Sequence, residues 1–220
     1  MSSPIPPGRP IRPTSAESST DWLQRHAREI VLAVAAVAVV GGGFFAYRQI
    51  SAGNEQRAEQ ALFAAQQTAM TAEPEQGVQA LQQVVTGHGG TSAGAQAALQ
   101  LAQLLYDQGK YDEGLRVLDG VSGSHREFGA SIQALVGAGH EGSGRYADAA
   151  AAYRRAAEAA RFDEDRQSYL TEAARVLALA GDREGAIRIW TEIADDPTSP
   201  HAPEARVRLG ELQARPASNG

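Results

Sequence analysis

Residues 109–121 read GKYDEGLRVLDGV, and the same frame returns as GRYADAAAAYRRA at 144–156 and GDREGAIRIWTEI at 181–193. Each opening glycine is followed at +5 by a small residue (Gly114, Ala149, Ala186), at +9 by a large one (Leu118, Tyr153, Trp190) and at +12 by an apolar one (Val121, Ala156, Ile193). Steps of four and three keep these positions on one face of a helix. Seven residues before each glycine stands a further small residue, Ala102, Gly137 or Ala174. Carried backwards, the frame puts Thr68 at that marker and Ala80 and Val84 on a second helix, around Pro74; carried forwards, it reaches Gly210 in PEARVRLG at 203–210. The marker then recurs at 68, 102, 137, 174 and 210, at intervals of 34, 35, 37 and 36.

This pattern resembles the tetratricopeptide repeat (TPR), two antiparallel helices joined by a tight turn that opens on glycine, repeated about every 34 residues. The small residues let the two helices of one repeat approach closely. Leu118, Tyr153 and Trp190 fill the space between one repeat and the next. The expectation is an all-α chain with a TPR-like α-solenoid of about four and a half repeats over residues 51–214. Its last helix, near 203–214 and rich in Arg and Glu, serves as a cap.

Upstream of the repeats, Ile30 to Tyr47 read IVLAVAAVAVVGGGFFAY without a charge, between Glu29 and Arg48. A helix of that length covers roughly 27 Å, close to the ~30 Å hydrocarbon core of a bilayer. The leader of 29 residues is too long and partly acidic for a signal peptide, and Ile50 is bulky where cleavage needs a small residue. Residues 21–50 are therefore predicted to form a juxtamembrane and transmembrane helix, entered at Trp22 after a cap from Ser19, Thr20 or Asp21 and running on into the first repeat. Arg9, Arg12, Arg25 and Arg28 precede the span, whereas Arg48 and Arg57 follow it, which predicts a cytoplasmic amino terminus and an external solenoid. Within the span, Ala35, Ala38, Gly42 and Ala46 make a small-residue stripe where another helix can approach, a pattern that alanine-rich spans also produce by chance.

Residues 1–20 carry Pro4, Pro6, Pro7, Pro10 and Pro13 and little to bury, so they are expected to be a disordered cytoplasmic tail, with PxxP spacings of the kind aromatic grooves bind. Residues 215–220 are expected to be a flexible end.

Of the 20 basic and 26 acidic residues, 1–48 hold five and three, a balance of +2, leaving 15 and 23, a balance of −8, for 49–220. Such a soluble part offers no cationic stripe for nucleic acid or anionic lipid, and Arg154, Arg155 and Arg161 alternate with acids as a solvated face does. Cysteine is absent, which removes disulfides, thiol catalysis and thiolate metal sites. Nineteen arginines to the single Lys110, with abundant alanine, suggest a bacterium of high genomic GC content.

No catalytic constellation emerges. His26, His88, His125, His140 and His201 lack partners at metal-binding spacing, and His140-Glu141 departs from HExxH at the second ligand. Ser143 lacks the first glycine of a nucleophile elbow, Asp163 to Asp165 lack the rest of a calcium loop, and Gly87 to Gly90 and Gly41 to Gly43 lack a following Lys-Ser or Lys-Thr. The expectation is a non-enzyme with no cofactor, metal or small-molecule substrate, whose partners are proteins.

The TPR resemblance implies that first-helix residues line a concave groove, here Gln96, Leu99, Gln103, Tyr106 and Asp107, then Ser168, Thr171, Arg175 and Leu179. This surface is mixed and lacks the Lys and Asn cluster with which some TPR domains clamp a terminal carboxylate. The arrangement over about residues 20–214 also resembles the YfgM-like ancillary subunits of the SecY translocon. It shares a single amino-terminal span, Trp22 to His26 before it, glycines late in it, Tyr47-Arg48 at its exit and a degenerate outer TPR domain; the Pro-rich tail is a departure. That resemblance implies a scaffold on the periplasmic face of the bacterial inner membrane, associated with the Sec translocon, periplasmic chaperones or exported chains. The alternative is an accessory structural subunit of another integral complex, respiratory or photosynthetic.

Overall fold

The computed structural model describes residue 41, residues 48–49, 51–123 and 125–214. Two compact units divide the chain, residues 1–52 and 53–220; of the first, residues 41, 48, 49, 51 and 52 are described, and they are helical. The expected tail, the span with its stripe at Ala35, Ala38, Gly42 and Ala46, its continuation into the first repeat, and the end at 215–220 lie outside the described residues. Among the described residues, no helix is long and apolar enough to cross a membrane.

The second unit is all-α. Helix α1 covers 51–71. It is followed by α2 (Pro74–His88), α3 (Ser92–Asp107), α4 (Tyr111–Asp119), a 3-10 turn at Arg126–Phe128, α5 (Gly129–Gly142), α6 (Tyr146–Ala159), α7 (Asp163–Leu179), α8 (Arg183–Asp195) and α9 (Ala202–Ala214). From α2 onward each helix packs on the next in chain order, and α3 also touches α5, the neighbour two positions on. That is the nearest-neighbour architecture of a solenoid. Helices α1/α2, α3/α4, α5/α6 and α7/α8 form four hairpins, and α9 is the half repeat.

Three turns are built alike, and the reason is the glycine. Gly109, Gly144 and Gly181 have φ of 74°, 76° and 84°, a left-handed conformation that side chains with a Cβ resist. It lets the next residue donate back along the helix, Lys110 N to Leu105 O at 2.8 Å, Arg145 N to His140 O at 2.8 Å and Asp182 N to Leu177 O at 2.9 Å. The last carbonyls of α3, α5 and α7 are thereby satisfied within the backbone. Thr91 accepts from Gly94 N to cap α3, and Asp182 accepts from Gly185 N to cap α8.

The core is a chain of overlapping clusters. Ala58, Leu62 and Ala65 of α1 meet Leu81 and Val84 of α2 and Leu101 of α3. Leu118 and Val121 meet Ala102 and Ile132; Tyr153 meets Ala173 and Val176; Trp190 and Ile193 meet Ala174 and Ala205. The residues expected at +5, +9 and +12 of the three glycine-led repeats are all buried.

The first repeat keeps a different register from the expected one. Gly77 and Leu81 are buried and Ala80 is only half-buried, while in α1 it is Ala65, not Thr68, that enters the core. A Cβ at Gly77 would stand 2.9 Å from Ala69 Cα, the same pairing of helix positions by which Gly114 faces Tyr106. The frame is therefore shifted by three residues, because the chain turns at Ala72-Glu73 with Pro74 opening α2 and needs no glycine there. The fifth register holds: Ala205 is buried, and Leu209 and Leu212 pack against the cluster around Trp190, while Gly210 faces open space because no second helix follows among the described residues.

Helix α5 carries Gly137, Gly139 and Gly142, each costing roughly 1 kcal/mol of helix propensity relative to alanine. Three tyrosine rings explain them. A Cβ at Gly137 would lie 2.9 Å from the Tyr153 ring, one at Gly139 would lie 2.6 Å from Tyr106 Cζ, and one at Gly142 would lie 2.6 Å from Tyr111 Cζ. Aromatic rings from α3, α4 and α6 thus rest on the bare backbone of α5.

Candidate partner-binding surface

The first helices α3 and α7 carry the expected groove residues, all but one of them exposed or half-buried. Gln96, Gln103 and Asp107 are exposed on α3, with Gln103 Nε2 donating to Asp107 Oδ1 at 2.9 Å, and Leu99 is half-buried beside them. On α7, Ser168, Thr171 and Arg175 are half-buried and Leu179 is 54% exposed. Ser168 Oγ is 3.2 Å from His201 Nε2, and Thr171 Oγ1 is buried with no partner among the described residues. Tyr106 is the exception. It is buried between Gly114 and Gly139 beside Tyr111, and burial raises its hydroxyl to about 12 against a slight opposing pull from Arg145.

Glu141 of α5 is bonded to the α7 part of the surface and is not among the expected residues. It sits three before Gly144, as Tyr106 sits three before Gly109, so the repeat register applied to α5 would have found it. Arg175 Nη2 donates to Glu141 Oε2 at 2.6 Å and to Glu172 Oε2 at 2.7 Å, and Tyr153 Oη donates to Glu141 Oε2 at 3.3 Å. The hydrogen bond to Glu141, followed by that to Glu172, holds the Arg175 guanidinium above its ordinary value despite burial. Burial first, then the charges of Glu141 and Glu172, raise the Tyr153 hydroxyl. The cluster ties α5 to α7 and leaves one uncompensated carboxylate charge on this face, a polar surface suited to hydrogen-bonded contacts.

The second helices frame cavities on their own face, at one place in the register. Between α4 and α6, over α5, lies a cavity of about 600 Å³ lined by Asp112, Arg116, Gln133, His140, Arg145 and Arg155 among others. Equivalent cavities between α6 and α8 and between α2 and α4 measure about 360 and 370 Å³. Gln133 and His140 occupy the positions that Ala98 and Leu105 hold in the repeat before, and Leu170 and Leu177 in the repeat after. Arg145 pairs with Asp112 at 2.8 Å, and Arg155 donates to Gln133 at 2.8 Å. His140 Nδ1 is buried without a partner among the described residues, and burial, aided by Arg145, lowers its pKa.

The other residues considered for chemistry have local roles. Ser143 Oγ donates to Gly139 O at 2.8 Å at the end of α5, and Asp163, Glu164 and Asp165 occupy the first turn of α7, where the helix dipole favours them.

The family model for the tetratricopeptide repeat-like domain matches residues 52–173, more than half of the chain. No curated protein matches the sequence. Among solved structures, the nearly identical TPR-like repeats of a candidate kinesin light chain from Podosopora anserina superpose with a TM-score of 0.56 at 13% identity, covering 72% of this chain and 86% of that one. A single-residue variant of that protein gives the same TM-score and identity with 85% of its length covered. At that identity the likeness concerns the fold alone, and the fold agrees with the glycine-led turns, the hairpins in series and the matched segment: this chain belongs to the tetratricopeptide repeat-like domain family.

Proposed function

We propose that this chain is a membrane-anchored interaction scaffold whose TPR-like solenoid stands on the periplasmic face of a bacterial inner membrane and serves the Sec translocon with periplasmic chaperones or exported chains. TPR-like repeats build extended surfaces for protein partners, and the family supplies that part of the reading. The observation that carries the anchor and its orientation is the uncharged run Ile30 to Tyr47, preceded by four arginines and followed within a few residues by the repeats; the Sec association rests on the resemblance to YfgM-like subunits. The acidic balance of the solenoid supports protein rather than nucleic-acid partners. On this reading, Gln96, Gln103 and Asp107 of α3 and Ser168, Arg175 and Leu179 of α7 face the partner, and the Arg175–Glu141 bond keeps the helices beneath it in register.

Two measurements test it. A periplasm-active reporter fused at the carboxy terminus should be active and a cytoplasm-only reporter silent; the opposite result overturns the orientation. A photo-crosslinker at Gln103 or Leu179 in cells should capture SecY and periplasmic chaperones. Capture instead of fixed-stoichiometry neighbours from one integral complex would favour the accessory-subunit reading, to which the stripe Ala35, Ala38, Gly42 and Ala46 also lends itself.

A further inference from the structure

The three cavities framed by the second helices occupy one place in the repeat, so each serves as a control for the others. Between α6 and α8, Arg154, Arg166 and Arg188 are matched one for one by Glu158, Asp182 and Glu192, and Arg166 pairs with Glu192 at 2.6 Å. Between α2 and α4, Arg116 is matched by Glu113, and the wall includes Val85 and Leu105. The cavity between α4 and α6 breaks both patterns. At about 600 Å³ it is the largest of the three, and three guanidiniums, Arg116, Arg145 and Arg155, face two carboxylates, Asp112 and Asp119. Its floor is polar, with Gln133 and His140 where the neighbouring repeats place alanine or leucine.

Hydrogen-bond donors are in surplus at this place. Arg116 has no ion pair and no side-chain hydrogen bond among the described residues. Arg155 uses Nε alone, on Gln133 Oε1 at 2.8 Å, and Arg145 uses Nη2 alone, on Asp112 Oδ1 at 2.8 Å. Both terminal nitrogens of Arg155, and Nε and Nη1 of Arg145, are thus uncommitted among the described residues. A guanidinium has only donors, and its planar edge matches a pair of carboxylate or phosphate oxygens. The surplus is local, since residues 49–220 carry a balance of −8 and would repel anions from most of their surface.

We infer that the cavity between α4 and α6 binds a small polyanion bearing carboxylate or phosphate groups, which bridges Arg116 of α4 to Arg155 of α6 above Gln133. The volume falls within the range of about 300–1,000 Å³ typical of small-molecule sites, too large for one bare oxyanion to fill. Guanidiniums on opposite walls select a ligand with two or more charged groups, so that each wall receives one. Bound there, it ties the second repeat to the third on the second-helix face and leaves the first-helix face free. The inference depends on neither the compartment nor the partner proposed above.

Calorimetric titration of the full chain in a non-ionic detergent, at neutral pH and constant ionic strength, tests it with citrate and with inorganic pyrophosphate. At least one should saturate a single site per chain, with acetate about tenfold weaker or more. Binding of citrate alone assigns a carboxylate ligand and of pyrophosphate alone a phosphate one; either supports the site. Arg116→Gln should weaken that binding about tenfold without changing the melting temperature, because the side chain is exposed and bonded to nothing among the described residues. Arg188→Gln removes the same charge from the balanced cavity between α6 and α8 and should change binding by no more than about twofold. No saturable binding of either polyanion, equal losses in the two arginine variants, or binding of an oligoglutamate peptide without either small polyanion would each overturn the inference.

Discussion

Replacing Gly139 by alanine sets two effects of known size against each other. Alanine in a helix interior is favoured over glycine by about 1 kcal/mol. The added Cβ, however, would stand 2.6 Å from Tyr106 Cζ, nearer still to its hydroxyl, and 3.0 Å from Leu115 Cδ2, where unstrained carbon contacts are about 3.5–4.0 Å. Tyr106 has no room to yield, because Gly114 receives its ring on the other side and Tyr111 lies at a centroid distance of 5.7 Å. Overpacking of this kind costs about 1–3 kcal/mol, so Gly139→Ala should be destabilising by about 1 kcal/mol net, or about 2–4 °C in melting temperature for a chain of this size. Gly210→Ala in α9 provides the reference: nothing lies within 4 Å of its Cβ, and it should gain the propensity term alone. Tyr106→Phe removes the atom nearest the clash together with a buried hydroxyl that has no partner among the described residues, so it should be neutral or stabilising by itself. In the double variant part of the penalty should vanish, with a coupling of at least about 0.5 kcal/mol. Far-UV circular dichroism melts of the full chain in micelles supply the four corners of the cycle. If Gly139→Ala raises the midpoint as Gly210→Ala does, or if the two substitutions are additive, the account of α5 as a bed for aromatic rings is wrong.

Three further outcomes follow from the packing and the charges. His140 has its pKa lowered by burial and by Arg145, so the unfolded chain takes up its proton first, near the ordinary value of about 6.5, and stability is lost as pH falls from there toward the lowered value. His140→Leu, which restores the residue type of Leu105 and Leu177, should therefore raise the melting temperature more at pH 5 than at pH 8; a gain independent of pH would contradict this. Leu81→Ala should cost about 2–5 kcal/mol in denaturant unfolding, whereas Thr68→Ala should change stability by no more than about 0.5 kcal/mol, and the reverse order would restore the 34-residue register. Glu55→Ala removes the acceptor of two amides at the start of α3, each at 3.2 Å, and should cost about 1 kcal/mol with faster hydrogen exchange at Ser92 and Ala93; unchanged exchange there would refute the capping role.

Where a repeat announced itself through a backbone requirement, the sequence was enough. Gly109, Gly144 and Gly181 need positive φ, so their identity is dictated by the turn, and the helix residues that follow inherit a fixed phase from it. The first repeat turns without such a residue, so no glycine fixes its phase across Pro74 and the regular spacing misplaces it by three residues. Tyr106 shows a second limit. Its register position faces the groove in the general TPR pattern, but the glycine at 114 and the glycine at 139 leave a slot that draws the ring inward, an exchange of volume between three helices that no single-helix pattern displays. Glu141 shows a third limit: it lies on a helix with little polar surface, and its place in the groove comes from Arg175, which is 34 residues away in sequence and 2.6 Å away in space.

These contrasts bear on what binding would require of the first-helix face. The first-helix face has its strongest charges engaged with one another, so a partner there gains from hydrogen bonds to Gln96, Gln103 and Ser168 and from burying Leu179, and loses if the Arg175 bridge must open. Charge-assisted pairs of this kind are worth little when exposed and more as water is excluded, so a partner that covers the bridge without breaking it would strengthen it. Arg175→Ala should therefore weaken partner capture from Gln103. If Arg175→Ala left capture unchanged, the bridge would play no part in what the first-helix face binds.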